Sequence, residues 1–257
     1  MTQLHPIIMR NEDIVQDLSF LGLRYARILT DDISDEEAAR LVTTYSYVHI
    51  YSGKQAALDG FQERLQPTPI IDLTQNLDDI FKKFRRDTRA GIKKSGEIND
   101  LRFLEPTRNI DESYDFYKYV KKRDGVLPDL KREFAGCIFF NAYLDNRLLV
   151  SMSFYDNGIT LRSKHIVSLR KEIGSRSKLV AFATRRLVWN VCQYAKERKY
   201  LKLDLGGINF SDSVKSGVPD FKQSFGADIV NFYVYRYETR QFSLARRTLN
   251  VLGKKIL

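Results

Sequence analysis

The sequence predicts an α+β protein built on a mixed β-sheet that is flanked by helices. Three observations lead to this fold class. Segments with helical periodicity alternate with short β-branched or aromatic segments along the whole chain. From residue 101 to residue 237 the predicted order is strand, helix, antiparallel strands, helix, strand, helix, strand. The composition, with 43% hydrophobic and 29% charged residues among 257, is that of an ordinary globular domain with a substantial core.

The elements before Gly96 are predicted from local patterns. Ser34 with Glu37 three residues later forms a capping box that starts a helix. Pro67 ends the second predicted helix, and Gly96 ends the third. The predicted strands are Arg24–Leu29, Tyr45–Tyr51 and Thr68–Leu73, and the predicted helices are Asp35–Thr44, Lys54–Leu65 and Leu77–Ser95.

The elements after Gly96 follow the same rules. Two long strands are joined by the turn Asp145–Arg147, which is typical of a hairpin. The predicted strands are Leu101–Leu104, Gly136–Leu144, Leu148–Tyr155, Gly158–Val167, Leu201–Leu205 and Ile229–Tyr237. The predicted helices are Ile110–Lys122, Lys178–Glu197, Asp220–Phe225 and Phe242–Ile256.

Charge and composition narrow the class of function. The net charge of +10 indicates an anionic partner such as nucleic acid, a phosphorylated substrate or anionic lipid. The two cysteines form no CxxC and the three histidines are scattered, so we expect no metal site. No segment reaches the ~20 apolar residues of a membrane-spanning helix. The first residues lack the features of a signal peptide, and we expect a cytoplasmic protein.

Two segments are strongly basic. The segment Lys82–Lys94 has seven basic residues and one acid, and Arg240–Leu257 has five basic residues and no acid. Arg85, Arg89 and Lys93 are spaced four apart, so one helix face would carry three stacked cations that suit a diphosphate. A solvated helix face is the alternative interpretation.

The segment Leu201–Tyr237 carries the clearest chemical signals. Asp204 ends a predicted strand and is followed by Gly206 and Gly207, which permit a close backbone approach to a ligand. Lys222 lies between Phe221 and Phe225 on a short helix that ends at Gly226. A lysine fixed by flanking aromatic rings can neutralise a phosphate or a developing oxyanion. Asp204 can orient an amine or accept its proton, and a structural ion pair is the alternative.

These two blocks, Ile71–Glu97 and Leu201–Tyr237, together resemble the FemAB-like branch of the GNAT acyltransferase superfamily, the peptidoglycan bridge-forming aminoacyltransferases. The resemblance covers roughly the last two-thirds of the chain. It implies a GNAT-like fold and an N-acyltransferase that acts on an amine of a cell-envelope precursor. It also implies that Lys222 acts near the reacting groups, with Asp204 as the weaker candidate for proton handling.

The resemblance also implies binding residues for a phosphate-bearing acceptor or donor. This set comprises Arg85, Arg89, Lys93, Arg162, Lys164, Gly206, Gly207 and Phe221. His165 follows two of these residues and is a candidate base, although a single histidine is more often structural.

The acyl donor is expected to bind at the start of the helix Lys178–Glu197. The donor loop of coenzyme A-dependent GNAT enzymes has the form Q/R-x-x-G-x-G/A, whose backbone N–H groups bind pyrophosphate. Here the loop keeps Gly174, but Arg176 replaces the last small residue, and Arg170 and Lys171 add positive charge. This departure favours aminoacyl-tRNA over acyl-CoA. Either donor is a co-substrate, and we expect no permanently bound cofactor.

The predicted organisation has three parts. Residues 1–96 form a partial N-terminal lobe that ends in a basic helix, and the resemblance suggests an eroded GNAT copy. Residues 97–239 form the GNAT-like core, and residues 240–257 form a basic amphipathic helix. That helix packs on the domain or lies on an anionic membrane, at the inner face if the acceptor is lipid-linked. The functional alternatives are a conventional acyl-CoA-dependent enzyme and a non-catalytic RNA- or membrane-binding module.

Overall fold

A computed structural model describes residues 13–20, 22–209 and 217–251 of the chain. The described residues divide into two compact units. The first combines residues from 1–66 with residues from 231–257, and the second comprises residues 67–230. This division differs from the predicted boundary at Gly96, because Ile80, Phe84 and Ile92 of the predicted helix Leu77–Ser95 are buried in the core of the second unit.

The described part of the first unit contains four neighbouring, hydrogen-bonded strands and two helices. Its elements are β1 (Ile14–Phe20), β2 (Leu23–Thr30), α1 (Asp35–Thr44), β3 (Tyr47–Ser52), most of β10 (Asp228–Glu238) and α7 (Arg240–Val251). The strand order is β1-β2-β3-β10, in which β2 and β3 are parallel and the other pairs are antiparallel. The capping box of Ser34 and Glu37 is present at the start of α1. A small core of Ile28, Leu41, Ile50 and neighbouring side chains holds these elements together.

The first unit differs from the prediction in one helix and one strand. Residues 54–65 do not form a helix, because Gly60 adopts a left-handed φ of 76° and Ala56 donates its N–H to the Tyr235 hydroxyl at 2.6 Å. The strand β4 begins instead at Gln62 and runs to Asp72. The strand β1 was not predicted.

The second unit holds the larger sheet. Its remaining elements are α2 (Leu77–Lys83), α3 (Arg86–Ser95), β5 (Leu101–Phe103), α4 (Asp111–Arg123), β6 (Cys137–Leu144), β7 (Arg147–Asp156), β8 (Thr160–Ser168), α5 (Ser177–Glu197), β9 (Lys202–Asp204) and α6 (Gly217–Gln223). The strand order is β4-β9-β8-β7-β6-β5. Only β8 and β9 are parallel, so the sheet is mixed as predicted.

The hairpin between β6 and β7 follows its sequence signal. Asp145 and Asn146 adopt left-handed φ values of 51° and 62°, as a two-residue hairpin turn requires. The long helix α5 buries Val180, Leu187, Val191 and further apolar side chains in the same core as β6 and β7.

The basic helix predicted over Leu77–Ser95 is two helices. Phe84 and Arg85 adopt extended ψ values of 141° and 151°, which ends α2 and starts α3. Burial of Phe84, which has 1% of its surface exposed, requires this break. Arg85 therefore does not continue the helix face of Arg89 and Lys93, and that prediction is wrong.

The C-terminal helix α7 belongs to the first unit and packs on its strands through Phe242. This side chain is fully buried, and its ring lies 4.9 Å from that of Tyr47 and 6.1 Å from that of Tyr25. The last predicted positions of the helix, residues 252–256, lie outside the described residues. Among the helices that the structure describes, none is long and apolar enough to cross a membrane.

Candidate active site

The candidate site lies where two parallel strands of the second unit diverge. Pairing between β8 and β9 ends at Arg162 and Asp204, while β8 continues alone on this side to Ser168. The chain leaves β9 through Gly206, whose φ of 77° belongs to the left-handed region. The diverging strands leave backbone groups and side chains of β8 facing the gap.

Arg162 and Asp204 are the last residues of β8 and β9 that lie opposite each other before the strands diverge. Their side chains form a buried ion pair. Their side chains are 8% and 1% exposed, and an Nη of Arg162 lies 2.6 Å from Asp204 Oδ2. The other oxygen of Asp204 accepts the N–H of Gly206 at 2.6 Å. Both carboxylate oxygens therefore hold structural partners, and the pair fixes the turn that follows β9.

Lys222 lies directly on this turn. Its Nζ donates to the carbonyl oxygens of Gly206 and Gly207, both at 2.9 Å. A Cβ on Gly206 would lie 3.2 Å from the Ser163 carbonyl oxygen and 3.4 Å from Lys222 Nζ, so the approach suits glycine alone. The structure thus brings together five predicted residues, namely Arg162, Asp204, Gly206, Gly207 and Lys222.

The helix α6 holds Lys222 through aromatic contacts. Phe225 is fully buried, and its ring packs edge-to-face with Phe221 at 5.1 Å and with Phe84 at 5.2 Å. Gly226 follows with a φ of 60° and lies so close to Lys83 that a Cβ there would overlap the Lys83 backbone. The sequence string around Lys222 is therefore an anchor for its ammonium group.

The surroundings of Lys222 change its proton affinity. Burial lowers its pKa to about 8, and the charge of Arg162 acts in the same direction while Asp204 opposes it. The group is half-buried, so its ammonium can meet a ligand at the divergence. A desolvated ammonium beside an acyl group can stabilise a developing oxyanion.

The predicted basic residues of the first block have separate positions. Arg85 forms an ion pair with Asp220 on α6, and its N–H donates to the Ser224 carbonyl at 2.9 Å. Arg89 donates to the carbonyl oxygens of Lys82 and Phe84 at 2.7 and 2.5 Å, which satisfies the end of α2. Lys93 is exposed on α3. The three cations do not form one stacked face.

The predicted donor loop lies exposed before α5. Gly174 adopts a left-handed φ of 50°, and no side chain caps the first turn of α5. Lys171 pairs with Asp124 at 3.0 Å and Arg176 with Asp145 at 3.4 Å, while Arg170 is exposed. The Ser177 N–H donates to the Gly174 carbonyl oxygen, and the basic side chains beside this helix start suit the phosphates of either donor.

A second polar cluster lies further along β8 and includes a residue that the sequence did not indicate. Asp129 Oδ2 lies 2.9 Å from both Lys164 Nζ and His165 Nε2. Lys164, whose side chain is 3% exposed, also donates to the Tyr155 hydroxyl at 2.7 Å. Lys164 is therefore an internal ion-pair partner here. Asp129 follows Pro128 in a loop, and no local pattern marks it as functional.

No metal centre is found in the described part of the chain, where no group of three or more His, Cys, Asp and Glu side chains is arranged to hold an ion. Cys137 and Cys192 are buried free thiols.

Comparison with known proteins finds a similarity to one family. Residues 174–234 match the model of the FemAB family, and this range contains Asp204, the Gly206–Gly207 turn and Lys222. The resemblance to the FemAB-like branch is confirmed. The FemAB match also covers Gly174 and Arg176 of the donor loop, whereas Arg162 and the basic segment lie outside it.

Solved structures show that the FemAB-like region belongs to a fold that extends over most of the chain. The C-terminal domain (DUF2156) of a protein assigned as a lysylphosphatidylglycerol synthetase from Agrobacterium fabrum is 11% identical, with a TM-score of 0.58 over 93% of this chain and 88% of that one. FemX is 13% identical, with a TM-score of 0.57 over 93% and 86%. L-PGS from Bacillus licheniformis is 13% identical, with a TM-score of 0.55 over 91% and 83%.

The predicted α+β fold class, a mixed sheet flanked by helices, is confirmed by the structure. No curated protein matches the sequence. The FemAB match supports a transferase.

Proposed function

We propose that this protein is an N-acyltransferase that transfers an aminoacyl group to an amine of a cell-envelope precursor. The observation that carries the proposal is the position of Lys222, whose ammonium is held 2.9 Å from two carbonyl oxygens at the divergence of β8 and β9. The buried pair of Arg162 and Asp204 makes this arrangement rigid. The same elements lie in or beside the region that matches the FemAB family.

The proposed reaction needs no covalent enzyme intermediate. A neutral amine of the acceptor attacks the carbonyl carbon of an activated ester, a C–N bond forms, and the ester C–O bond breaks. Negative charge develops on the carbonyl oxygen, and Lys222 stabilises it. Positioning of the two substrates at the strand divergence supplies much of the remaining rate acceleration.

The favoured donor is aminoacyl-tRNA. The loop before α5 has Arg176 where a coenzyme A loop has a small residue, and Arg170 and Lys171 increase its positive charge. A long polyanion gains more from such a loop than a single pyrophosphate does. The net charge of +10 supports the same choice.

The favoured acceptor carries phosphate or is linked to a lipid. The name of the Agrobacterium protein with the same fold refers to a lysyl group on phosphatidylglycerol, which is an anionic lipid acceptor. Lys93, Phe221 and the Gly206–Gly207 turn remain our candidates for its binding, whereas Arg85, Arg89, Arg162 and Lys164 hold structural partners. A lipid-linked acceptor would bring the enzyme to the inner face of a membrane, where basic residues favour anionic lipid.

A second candidate function is transfer from acyl-CoA to an amino sugar or another small amine. No side chain caps the start of α5, and Gly174 before this helix has a left-handed φ. Both features favour this alternative, because such a turn suits pyrophosphate. The two candidates share Lys222 and differ in the donor.

Donor competition tests the proposal. The purified chain is incubated with radiolabelled aminoacyl-tRNA and an amine-bearing peptidoglycan precursor, with excess uncharged tRNA or acetyl-CoA as competitor. The proposal expects label in the precursor, a preference for the charged tRNA and no inhibition by acetyl-CoA. Transfer from acetyl-CoA alone would support the second candidate. Salt-sensitive binding without transfer from either donor would contradict both and leave a binding module.

A further inference from the structure

The transfer reaction needs an acceptor for the proton that the attacking amine loses. Asp204 does not fit this role, because one of its oxygens bonds Arg162 and the other accepts the N–H of Gly206. The side chain is also 1% exposed. The proton acceptor has to come from a different group on the strands that diverge.

His165 is such a group, and its imidazole is held in one orientation. Its Nε2 lies 2.9 Å from Asp129 Oδ2, and its ring stacks 4.6 Å from Tyr117 and 5.7 Å from Phe134. Because a carboxylate only accepts hydrogen bonds, the neutral ring carries its proton on Nε2. Nδ1 is then the basic nitrogen. In hydrolytic triads the aspartate holds Nδ1–H and Nε2 is the base, so the two ring nitrogens have exchanged roles here.

Lys164 allows His165 to remain neutral beside a carboxylate. Its Nζ lies 2.9 Å from Asp129 Oδ2 and 4.7 Å from the centre of the Phe134 ring. The ammonium supplies the counter-charge of Asp129, so the imidazole need not be charged to compensate it. Burial lowers the pKa of His165, Asp129 opposes this shift, and Lys164 and Lys121 reinforce it. Burial would raise the pKa of Asp129, yet His165 and Lys164 together hold it well below its ordinary value.

The position of His165 on β8 connects it with the divergence. It follows Arg162 by three residues, on the part of β8 that β9 no longer pairs. Ser163 and His165 pair with Phe154 and Ser153 of β7, so Lys164 has no partner in the register and forms a bulge. Bulges re-aim side chains and often lie beside active sites. The imidazole side chain remains 23% exposed.

We propose that His165, oriented by Asp129, is the base that accepts the proton of the attacking amine. The assignment rests on the proposed acyl transfer and names a further catalytic residue for it. As the C–N bond forms, one proton passes from the amine nitrogen to Nδ1 of His165. As the ester C–O bond breaks, the imidazolium returns that proton to the leaving oxygen. The products are an amide and an alcohol, and no oxidant or further co-reactant is consumed.

The proton position is measurable without any substrate. Nitrogen-15 NMR of the labelled chain resolves three histidines, and His165→Gln identifies the resonances of His165. The proposal expects a neutral Nε2–H tautomer at pH 7 and a titration below the ordinary value of 6.5. An Nδ1–H tautomer, or an imidazolium at pH 7, would overturn it.

Kinetics test the catalytic role. His165→Gln keeps a donor toward Asp129 and removes the base, so we expect kcat to fall on the order of 10²-fold with little change in KM. Lys164→Met removes the ammonium that lowers the pKa of His165, so that pKa should rise, and with it the pH at which activity is half-maximal on the acid side. Wild-type activity in His165→Gln, or an unmoved acid limb in Lys164→Met, would overturn this assignment alone. Absence of transfer by the unchanged chain would overturn the proposed function and the assignment with it.

Discussion

Arg162 and Asp204 lie opposite each other on parallel strands and form a buried ion pair at the last point where those strands meet. The distance between Arg162 Nη and Asp204 Oδ2 is 2.6 Å, and Asp204 also accepts the N–H of Gly206. The turn that contacts Lys222 is thus held by a charged pair. The role of Asp204 that follows from this geometry is structural support of the site, since neither of its oxygens is open to a substrate.

Asp204→Asn should destabilise the protein strongly. The change leaves the Arg162 guanidinium without its counter-charge in a buried position, which typically costs about 3–5 kcal/mol. Urea unfolding of the full chain measures this loss. The double variant Arg162→Met with Asp204→Leu removes both charges and should lose less than the single variant. A single variant as stable as the unchanged protein would contradict the buried-pair description.

The activity should fall as pH rises past the pKa of Lys222. Burial lowers that pKa from its ordinary 10.5 to about 8, so the ammonium is lost above this pH and the oxyanion loses its partner. Lys222→Arg stays charged across this range, and its residual kcat/KM should show no such decline. The pH profile of kcat/KM between pH 6 and 10 measures both. If kcat/KM declines with pH in the same way in both proteins, a group other than Lys222 causes the decline.

The contribution of Lys222 to stability should change with pH in the direction opposite to the change in activity. Between the folded value of about 8 and the unfolded value of 10.5, the unfolded chain holds a proton that folded Lys222 has released. Lys222 therefore adds a rise with pH to the free energy of unfolding across this window, while the buried thiols of Cys137 and Cys192, whose pKa values burial raises, contribute in the opposite direction. Lys222→Met should lack this rise, and Lys196→Met, which removes a lysine that also donates to two carbonyl oxygens, should keep it. Chemical denaturation at pH 7.5 and pH 10 compares the three proteins.

Gly226→Ala should be more damaging than Gly158→Ala. Both glycines have left-handed φ values, 60° and 81°. A Cβ in that conformation should lower the free energy of unfolding of both variants by about 1–2 kcal/mol. Only at Gly226 does the Cβ also overlap the backbone of Lys83, which forces α6 and Lys222 to move. Thermal unfolding and transfer activity of both variants measure the difference. Equal losses of stability and activity in the two variants would show that the close approach of Gly226 to Lys83 does not contribute to stability.

We expect Arg89 to have a structural role and Lys93 to bind a ligand. Arg89→Ala removes the two hydrogen bonds that satisfy the end of α2, each worth about 1.5–3 kcal/mol when the donor is charged, before discounting for exposure. It should lower the melting temperature. Lys93→Ala should leave stability unchanged and raise KM for a phosphate-bearing substrate. An unchanged KM in Lys93→Ala would remove α3 from the substrate site.

The C-terminal helix offers a matched pair of variants. Phe242→Ala empties a buried position between Tyr25 and Tyr47, and truncations of this kind cost about 3–5 kcal/mol. Leu244 is 55% exposed on the same helix, so Leu244→Ala should leave stability unchanged. Leu244 is also the available contact for a membrane, and vesicle sedimentation with anionic lipid tests that role. Equal stability of the two variants would contradict packing of α7 through Phe242.

The sequence predicts the fold well wherever a local pattern controls the structure. The capping box at Ser34, the turn at Asp145 and the long helix α5 all follow from neighbours in the chain. The failures occur where tertiary contacts override that pattern. Burial of Phe84 breaks the basic helix, and the left-handed Gly60 with its neighbouring contacts prevents a helix over residues 54–65.

The site was predictable to the extent that its residues share one segment. Asp204, the Gly206–Gly207 turn and Lys222 lie close in the sequence, and the structure brings them together. Asp129 was not predictable, because its partners Lys164 and His165 are 35 and 36 residues away and meet it only through the packing of a loop on β8. Arg89 looked like a phosphate ligand because sequence spacing does not reveal which carbonyl groups a guanidinium satisfies.

The most direct test compares Lys222→Ala with Lys196→Ala in the aminoacyl-transfer assay. Both lysines donate to two backbone carbonyl oxygens, and only Lys222 does so at the divergence of β8 and β9. We expect Lys222→Ala to lose transfer by roughly 10²-fold or more while it still binds tRNA. We expect Lys196→Ala to keep the rate of the unchanged protein. Equal rates for the two variants would contradict the assignment of Lys222 as the group that stabilises the reacting acyl oxygen.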